Sequence, residues 1–466
     1  MEKMRRLFAG VLLSVGLVLP ACGGHVARTA DVRSALDVMQ PERALEAINE
    51  QLDADTAEEL PEALDGDQPL LLLDRAMVLM QLDRYQLASR DLQVADKSIE
   101  FLDFSRNAVD DLGKYLFSDA SGPYKAPAYE KLFINTMNML SYLVRGELQG
   151  ARIEARRLAV MQKFIRDHED PAQSLLGPGS YFAGFVFEKS GQPQEALRYY
   201  DEALAYGSYR SLVEPVRRLS QQASYRSPRL REVIGDETAE PKSVSPSSGE
   251  PSEPETESAR TRSDDDGELL VVVNFGRVPP KLAKRIPIGL ALTYASGALS
   301  PHSQAQANKL AAQGLVTWVN YPELGKPRGT YEQPTLHVER RRQPLEGLVA
   351  VDKESKRAWK EVQGSVVASA ITRMVARVVA GQAVQKAAGD DLVGILLNLG
   401  TQATMTALDT PDTRCWSTLP ARMAVGRIRM KPGVYEVTLR AGGWQKTHQV
   451  KIEPRGWKVV ALTTLA

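Results

Sequence analysis

Residues 236–267, DETAEPKSVSPSSGEPSEPETESARTRSDDDG, hold almost nothing that a fold could bury. Ser, Pro and acidic side chains dominate, and such a composition cannot offset the conformational entropy lost on ordering. The segment is therefore expected as a disordered linker. The hydrophobic period changes across it. From about Asp31 to Ser224 apolar residues recur at helical spacing with few β-branched runs. Downstream, stretches such as ELLVVVNFG (268–276) and PGVYEVTLRAGG (432–443) read as strands. A multidomain chain follows, with an all-α domain over 22–235, the linker, and a C-terminal α+β domain over 268–466.

The first 21 residues belong to neither domain. MEKMRR carries Lys3, Arg5 and Arg6, and an apolar run extends from Leu7 to Leu19. That run is shorter than the roughly 20 residues a bilayer span needs, but it matches the h-region of a signal peptide. Leu19-Pro20-Ala21-Cys22 resembles the bacterial lipobox, although proline is uncommon at the place Pro20 takes. The resemblance implies a lipidated Cys22 as the first mature residue, with residues 1–21 removed. Stable anchoring takes more than one acyl chain, each buried CH₂ contributing about 0.8 kcal/mol, and a triacylated cysteine provides several. Gly23 and Gly24 follow with no Asp behind the cysteine, which by resemblance to the Gram-negative sorting rule implies the outer membrane, periplasmic side. With Cys22 lipidated, only Cys415 remains and no intrachain disulfide can form.

Lys+Arg and Asp+Glu each number 58, so the formal net charge is zero. No basic domain and no run of aromatics interleaved with Lys/Arg points to nucleic acid as a partner. GxSxG, HExxH, Walker A and CxxC signatures are absent from the sequence, and no cofactor or metal site is expected. Cys415 as a nucleophile would need a histidine base, and nothing around His337 or His448 carries a signature for one.

Within the helical part, SYFAGFVFEKSGQPQEALRYYDEAL (180–204) places Gly184, Phe187, Gly191, Ala196, Tyr200 and Ala203 at the spacing of the tetratricopeptide repeat, a helix–turn–helix of about 34 residues. The residue types follow from packing. Gly184 and Ala196 let two helices approach, Phe187 and Tyr200 fill the gap, Ala203 admits the next helix, and Gly191 with Pro193 makes the turn. Weaker copies occupy 71–95 (Ala76, Leu79, Tyr85, Ala88, Leu92, Ala95) and 135–159 (Tyr142, Gly146, Ala151, Ala155), with 41–52 as a first helix or cap. A TPR-like solenoid is expected, because such units bury their faces only against neighbours. EARRLAVMQKFIRDHED (154–170) carries Arg156, Arg157, Lys163 and Arg166, read either as a basic surface for an anionic partner or as a solvated helix face.

In the C-terminal part, strands are expected at 268–276, 315–324 and 333–342, and 286–297 is apolar and partly alternating. Helices are expected at 303–314, 353–388 and 391–408, the longer two packing on the earlier strands. Four alternating runs at 421–430, 432–443, 444–454 and 456–465, joined at Pro432-Gly433, Gly442-Gly443 and Pro454-Arg455-Gly456, predict an antiparallel β meander or half of a sandwich.

DTPDTRCWSTLP (409–420) is the most particular stretch. Asp412, Arg414, Trp416, Leu419 and Pro420 form an Asp-x-Arg-x-Trp-x-x-Leu-Pro motif. With the lipobox, the segment YEKLFINTMNMLSYLVRGELQGARIEARR (129–157), the Ser/Pro/Glu-rich break and a small-residue helix bearing Arg373 and Arg377, the order of parts resembles an uncharacterised family of bacterial TPR-containing envelope lipoproteins. That family has no established activity. Its members are often encoded near lipoprotein activators of peptidoglycan synthases, which implies work on the cell wall. Two readings of the motif stand. In one, Arg414 pairs with Asp412 or Asp409 while Trp416 anchors the loop in the core. In the other, Asp412, Arg414 and Trp416 contact a partner, since exposed Trp and Arg are frequent hot spots. The expected function is a non-enzymatic periplasmic scaffold for envelope proteins. The alternatives are an envelope enzyme acting on glycan or peptide, and a structural subunit of a secretion or motility complex.

Overall fold

The computed structural model describes residues 25–104, 124, 126–167, 171–235, 265–314, 316–388 and 411–466. Cys22 and the signal segment, residues 236–264 of the expected linker, and the helix expected at 391–408 lie outside the described residues.

The N-terminal part consists of helices α1 (His25–Arg28), α2 (Ala30–Asp37), α3 (Pro41–Gln51), α4 (Gln68–Gln81), α5 (Tyr85–Phe104), α6 (Ala128–Arg145), α7 (Leu148–Asp167), α8 (Leu176–Lys189), α9 (Pro193–Leu204), α10 (Val213–Ser220) and α11 (Pro228–Ile234). Eight of them pair as hairpins, α2/α3, α4/α5, α6/α7 and α8/α9. The hairpins share one local rule. Two positions before the second helix the backbone turns left-handed, at Met39 (φ 59°), Asp83 (φ 61°), Gly146 (φ 77°) and Gly191 (φ 68°). Five positions beyond that residue stands a fully buried alanine: Ala44, Ala88, Ala151 and Ala196. The first helix of the last hairpin meets its partner so closely that a Cβ on Gly184 would lie 2.4 Å from the Tyr200 ring. Thus the small and turn residues read from 180–204 do pack as a helix pair. The hairpins recur at intervals of 44, 63 and 45 residues, longer than the TPR period.

Among the described residues, ten strands run from Gly267 onward: β1 (Gly267–Arg277), β2 (Lys281–Pro287), β3 (Trp318–Leu324), β4 (Thr335–Val338), β5 (Arg341–Pro344), β6 (Glu346–Ala350), β7 (Pro420–Met430), β8 (Gly433–Ala441), β9 (Trp444–Ile452) and β10 (Trp457–Thr464). Helices α12 (Ile288–Tyr294) and α13 (Pro301–Ala312) lie between β2 and β3, and α14 (Val351–Ala388) follows β6. A central sheet has the order β10-β1-β7-β6 and an outer sheet β5-β4-β8-β9, while β2 and β3 pair alone. The expected terminal meander is therefore not formed. Only β8 and β9 remain hairpin neighbours. β7 pairs antiparallel with β1, and β10 pairs parallel with β1, from Glu268↔Trp457 to Phe275↔Thr464. The cause lies in β1. Its uninterrupted LLVVV run is buried on both faces and needs a neighbour on each edge, and the terminal strands provide both. The stretch 286–297 also departs from alternation, turning helical at Ile288 directly after Pro287.

The two halves share a core. Leu270 and Val272 of β1, with Met423, Val425, Val459 and Ala461, join the helical layer in one apolar cluster. The opposite face, with Leu269, Val271 and Val273, packs on Leu336, Val437, Leu439 and Val450 of the outer sheet. The result is helices, central sheet and outer sheet in three layers. A satellite core joins β2 and β3 to α12, α13 and the middle of α14 through Ile286, Ala291, Leu310, Val319, Val366 and Ile371. The expected packing of the 353–388 helix on earlier strands is found here.

Candidate functional site

The first helices of the hairpins face the sheet. α4 and α6 lie on β10, α8 on β6, and Phe185 meets Trp457 edge-on with ring centroids 5.8 Å apart. The side of the helical layer formed by these first helices is thus covered by the chain itself.

Residues 411–420 close the seam, and all ten are buried. Asp412 accepts hydrogen bonds from the backbone N of Arg414 (2.9 Å) and from its Nε (2.9 Å) and Nη2 (2.7 Å). Burial would raise the Asp412 carboxyl, but Arg414 and Lys281 overcome it and hold the pKa below its ordinary value. Arg414 extends over the Tyr124 ring (5.7 Å) and reaches Asp67 (3.4 Å). Trp416 is fully buried, and its backbone N donates to Glu130 Oε1 at 3.1 Å. Thr418 donates to Asp74 Oδ1 from both its backbone N (3.0 Å) and its Oγ1 (2.7 Å). The Lys281 backbone N donates to Cys415 Sγ at 3.4 Å, and burial pushes that thiol up to about 12. A thiol so placed is not a thiolate at neutral pH.

The partner-contact reading of Asp412, Arg414 and Trp416 is accordingly corrected. Their exposures are 7%, 3% and 0%, so none offers a surface. An Asp-x-Arg pair that neutralises itself can be buried, and the structure takes the anchoring alternative.

A second buried polar cluster locks the same seam. Arg427 donates to both oxygens of Glu188 at 2.7 Å and to Tyr200 Oη at 2.9 Å, and pairs with Glu268. Its guanidinium lies 5.0 Å from the Phe185 ring centroid. Lys189 and Arg218 also pair with Glu188. Burial would raise Glu188, but the three cations hold it well below the usual carboxylate range. Tyr200, expected as a packing residue, thus also has a polar role. The sequence signal for Arg427 is its place on the strand face of Met423 and Val425, which are buried and apolar.

Asp74, Glu130 and His25 were not singled out either. His25 is 2% exposed, with Nδ1 3.4 Å from Asp67 and Nε2 3.6 Å from Asp74. Nothing in the local sequence distinguishes these residues from surface charges.

The outer side of the layer differs. α7 packs between α6 and α8 and turns Gln149, Ile153, Arg156, Val160 and Lys163 to solvent. These positions follow the three- and four-residue spacing of one helix face. Ile153 is 58% exposed and Val160 66% exposed. Arg156 lies in this stripe, whereas Arg157 is turned aside and pairs with Asp96 (3.0 Å) and Glu154 (3.6 Å).

Among the described residues no group of three or more His, Cys, Asp or Glu is arranged to hold a metal, and no helix is long and apolar enough to cross a membrane. Comparison with known proteins finds no family model, curated protein or solved structure that matches the chain.

Proposed function

We propose that the chain is a lipid-anchored envelope lipoprotein that acts as a non-enzymatic protein-interaction scaffold. On this reading Cys22 carries the acyl chains on the periplasmic side of the outer membrane, and the four hairpins form a TPR-like layer. The partner is an envelope protein, and regulation of cell-wall synthesis is the most specific form of the role. The observation that carries the proposal is the α7 stripe. Two large aliphatic side chains more than half exposed, interleaved with Arg156 and Lys163, suit an amphipathic partner segment that presents apolar and acidic residues. Because the chain's own sheet covers the first helices, docking falls on the outer face of the second helices.

The test is crosslinking affinity purification from native membranes. The affinity tag is placed within residues 236–264, since Leu465 is buried and a C-terminal tag would disturb the fold. An envelope protein enriched by the wild type, lost with Ile153→Ser/Val160→Ser and reduced with Cys22→Ala supports the proposal. Equal enrichment by all three chains, or none by the wild type, refutes it.

A further inference from the structure

Among the described residues, both faces of the central sheet are covered, but the outer sheet is covered on one face only. Its free face is assembled from four strands in a fixed register. Arg342, His337, Thr438 and Thr447 lie in one cross-strand row, and Thr335, Arg440 and Gln445 in the next. Val434 and Glu436 continue the face along β8. A shallow, open depression of about 600 Å³ lies along this face.

The groups along this depression are matched in kind. Thr438 and Thr447 present hydroxyls 2.8 Å apart, each both donor and acceptor. Gln445 adds an amide, with a donor and an acceptor in one plane. Glu436 and Glu339 face Arg440 in the lining, and Arg342, paired with His337 in the adjoining row, brings the two signs level. Desolvation, with Arg440 and Arg342 nearby, lowers His337 below its ordinary value, and its Nε2 lies 3.3 Å from Thr335 Oγ1. Val434, 66% exposed, provides an apolar patch beside the polar rows. From Val434 to Arg440 the strand extends roughly 20 Å, so the face is elongated.

We infer that this face of the outer sheet is a binding site for an uncharged, polyhydroxylated chain, an extended oligosaccharide. Closely spaced hydroxyls require partners that donate and accept together, and the Thr, Gln, Glu and Arg rows provide them without a net charge to neutralise. The C–H faces of sugar rings find Val434. An anionic ligand would leave Glu436 and Glu339 opposing it. The inference is independent of lipidation and of the α7 stripe.

The experiment is calorimetric titration of the full chain carrying Cys22→Ala with β-1,4-linked N-acetylglucosamine tetramer and with cellotetraose, each to about 10 mM, a range that captures millimolar affinities. Sodium tripolyphosphate serves as the anionic comparator. Saturable binding of at least one tetramer, weakened tenfold or more in Thr438→Val/Gln445→Ala and unchanged in Ile153→Ser, is the expected result. Both substituted positions of the double variant lie on the free face, and an unchanged melting temperature shows that the sheet is intact. Arg440→Gln provides a second variant at the site, with the same expected direction. The absence of saturable binding to either tetramer overturns the inference. So does undiminished affinity in the folded variants, or saturation by tripolyphosphate alone.

Discussion

Asp74 offers the sharpest test of how the two halves are joined. It lies on α4, fully buried, and its Oδ1 accepts from both the backbone N and the Oγ1 of Thr418, 344 residues further along the chain. Asp74→Ala leaves the Thr418 N–H and hydroxyl without this acceptor, and the buried Ser417 hydroxyl, 3.4 Å from the carboxylate, loses its partner too. Each orphaned group costs about 1–3 kcal/mol, so the substitution should destabilise by about 3–5 kcal/mol. Asp74→Asn keeps a carbonyl oxygen at the same place and should cost about 1–2 kcal/mol. Thr418→Val removes only the hydroxyl and should cost about 1 kcal/mol. Combined with Asp74→Ala, it should cost less than the sum of the two, because the hydroxyl is no longer there to be orphaned. Urea unfolding of the full chain with Cys22→Ala, followed by tryptophan fluorescence and far-UV circular dichroism, measures each value. The shared core further requires both probes to report one transition. Asp74→Ala within 1 kcal/mol of wild type, Asn as costly as Ala, or two resolved transitions would each refute the reasoning.

Cys415 should resist iodoacetamide in the native chain at pH 8 and react fully in concentrated urea; rapid native labelling would mean that 411–420 is not buried as described. Gly184→Ala forces a Cβ against the Tyr200 ring, which also meets Arg427 and Glu188, and should destabilise by about 1–3 kcal/mol, read as a lower urea midpoint. Glu188, held well below the ordinary glutamate value of 4.5 once its three cations overcome burial, contributes stability that is present above that pH and lost as pH falls through its folded pKa. Glu130 and Glu154, raised by desolvation, act in the opposite sense above 4.5. Urea midpoints measured downward from pH 4.5 should therefore fall more steeply in wild type than in Glu188→Gln, and parallel curves would contradict the assigned role.

The elements were more legible in the sequence than their partners. Gly184, Ala196 and Gly191 announced a helix pair because close approach and a left-handed turn restrict residue type. The apolar run of β1 announced burial on both faces, and the strands from β7 to β10 fall close to where alternation placed them. Alternation reports which face of a strand is wet, however, and says nothing of its neighbour. The sheet exchange between β7 and β8, and the return at β10, were therefore invisible. The Asp412–Arg414–Trp416 motif was legible as unusual but not as interior or exterior, since a self-neutralised pair suits either place. Asp74 and Glu130 were illegible for a related reason: their partners lie hundreds of residues away.

That distance has a consequence for how the chain is made. Leu465 donates its backbone N–H to Gln81 across 384 residues, and Tyr85 reaches Ala461 across 376. The helical layer cannot complete its interior until β7, β10 and the 411–420 segment have been synthesised, so folding cannot proceed vectorially from the N-terminus. Closing so long a loop is entropically slow, and the waiting helices expose apolar faces meanwhile. If the chain is exported, these late contacts keep it pliable during threading, and native structure is gained only on the far side.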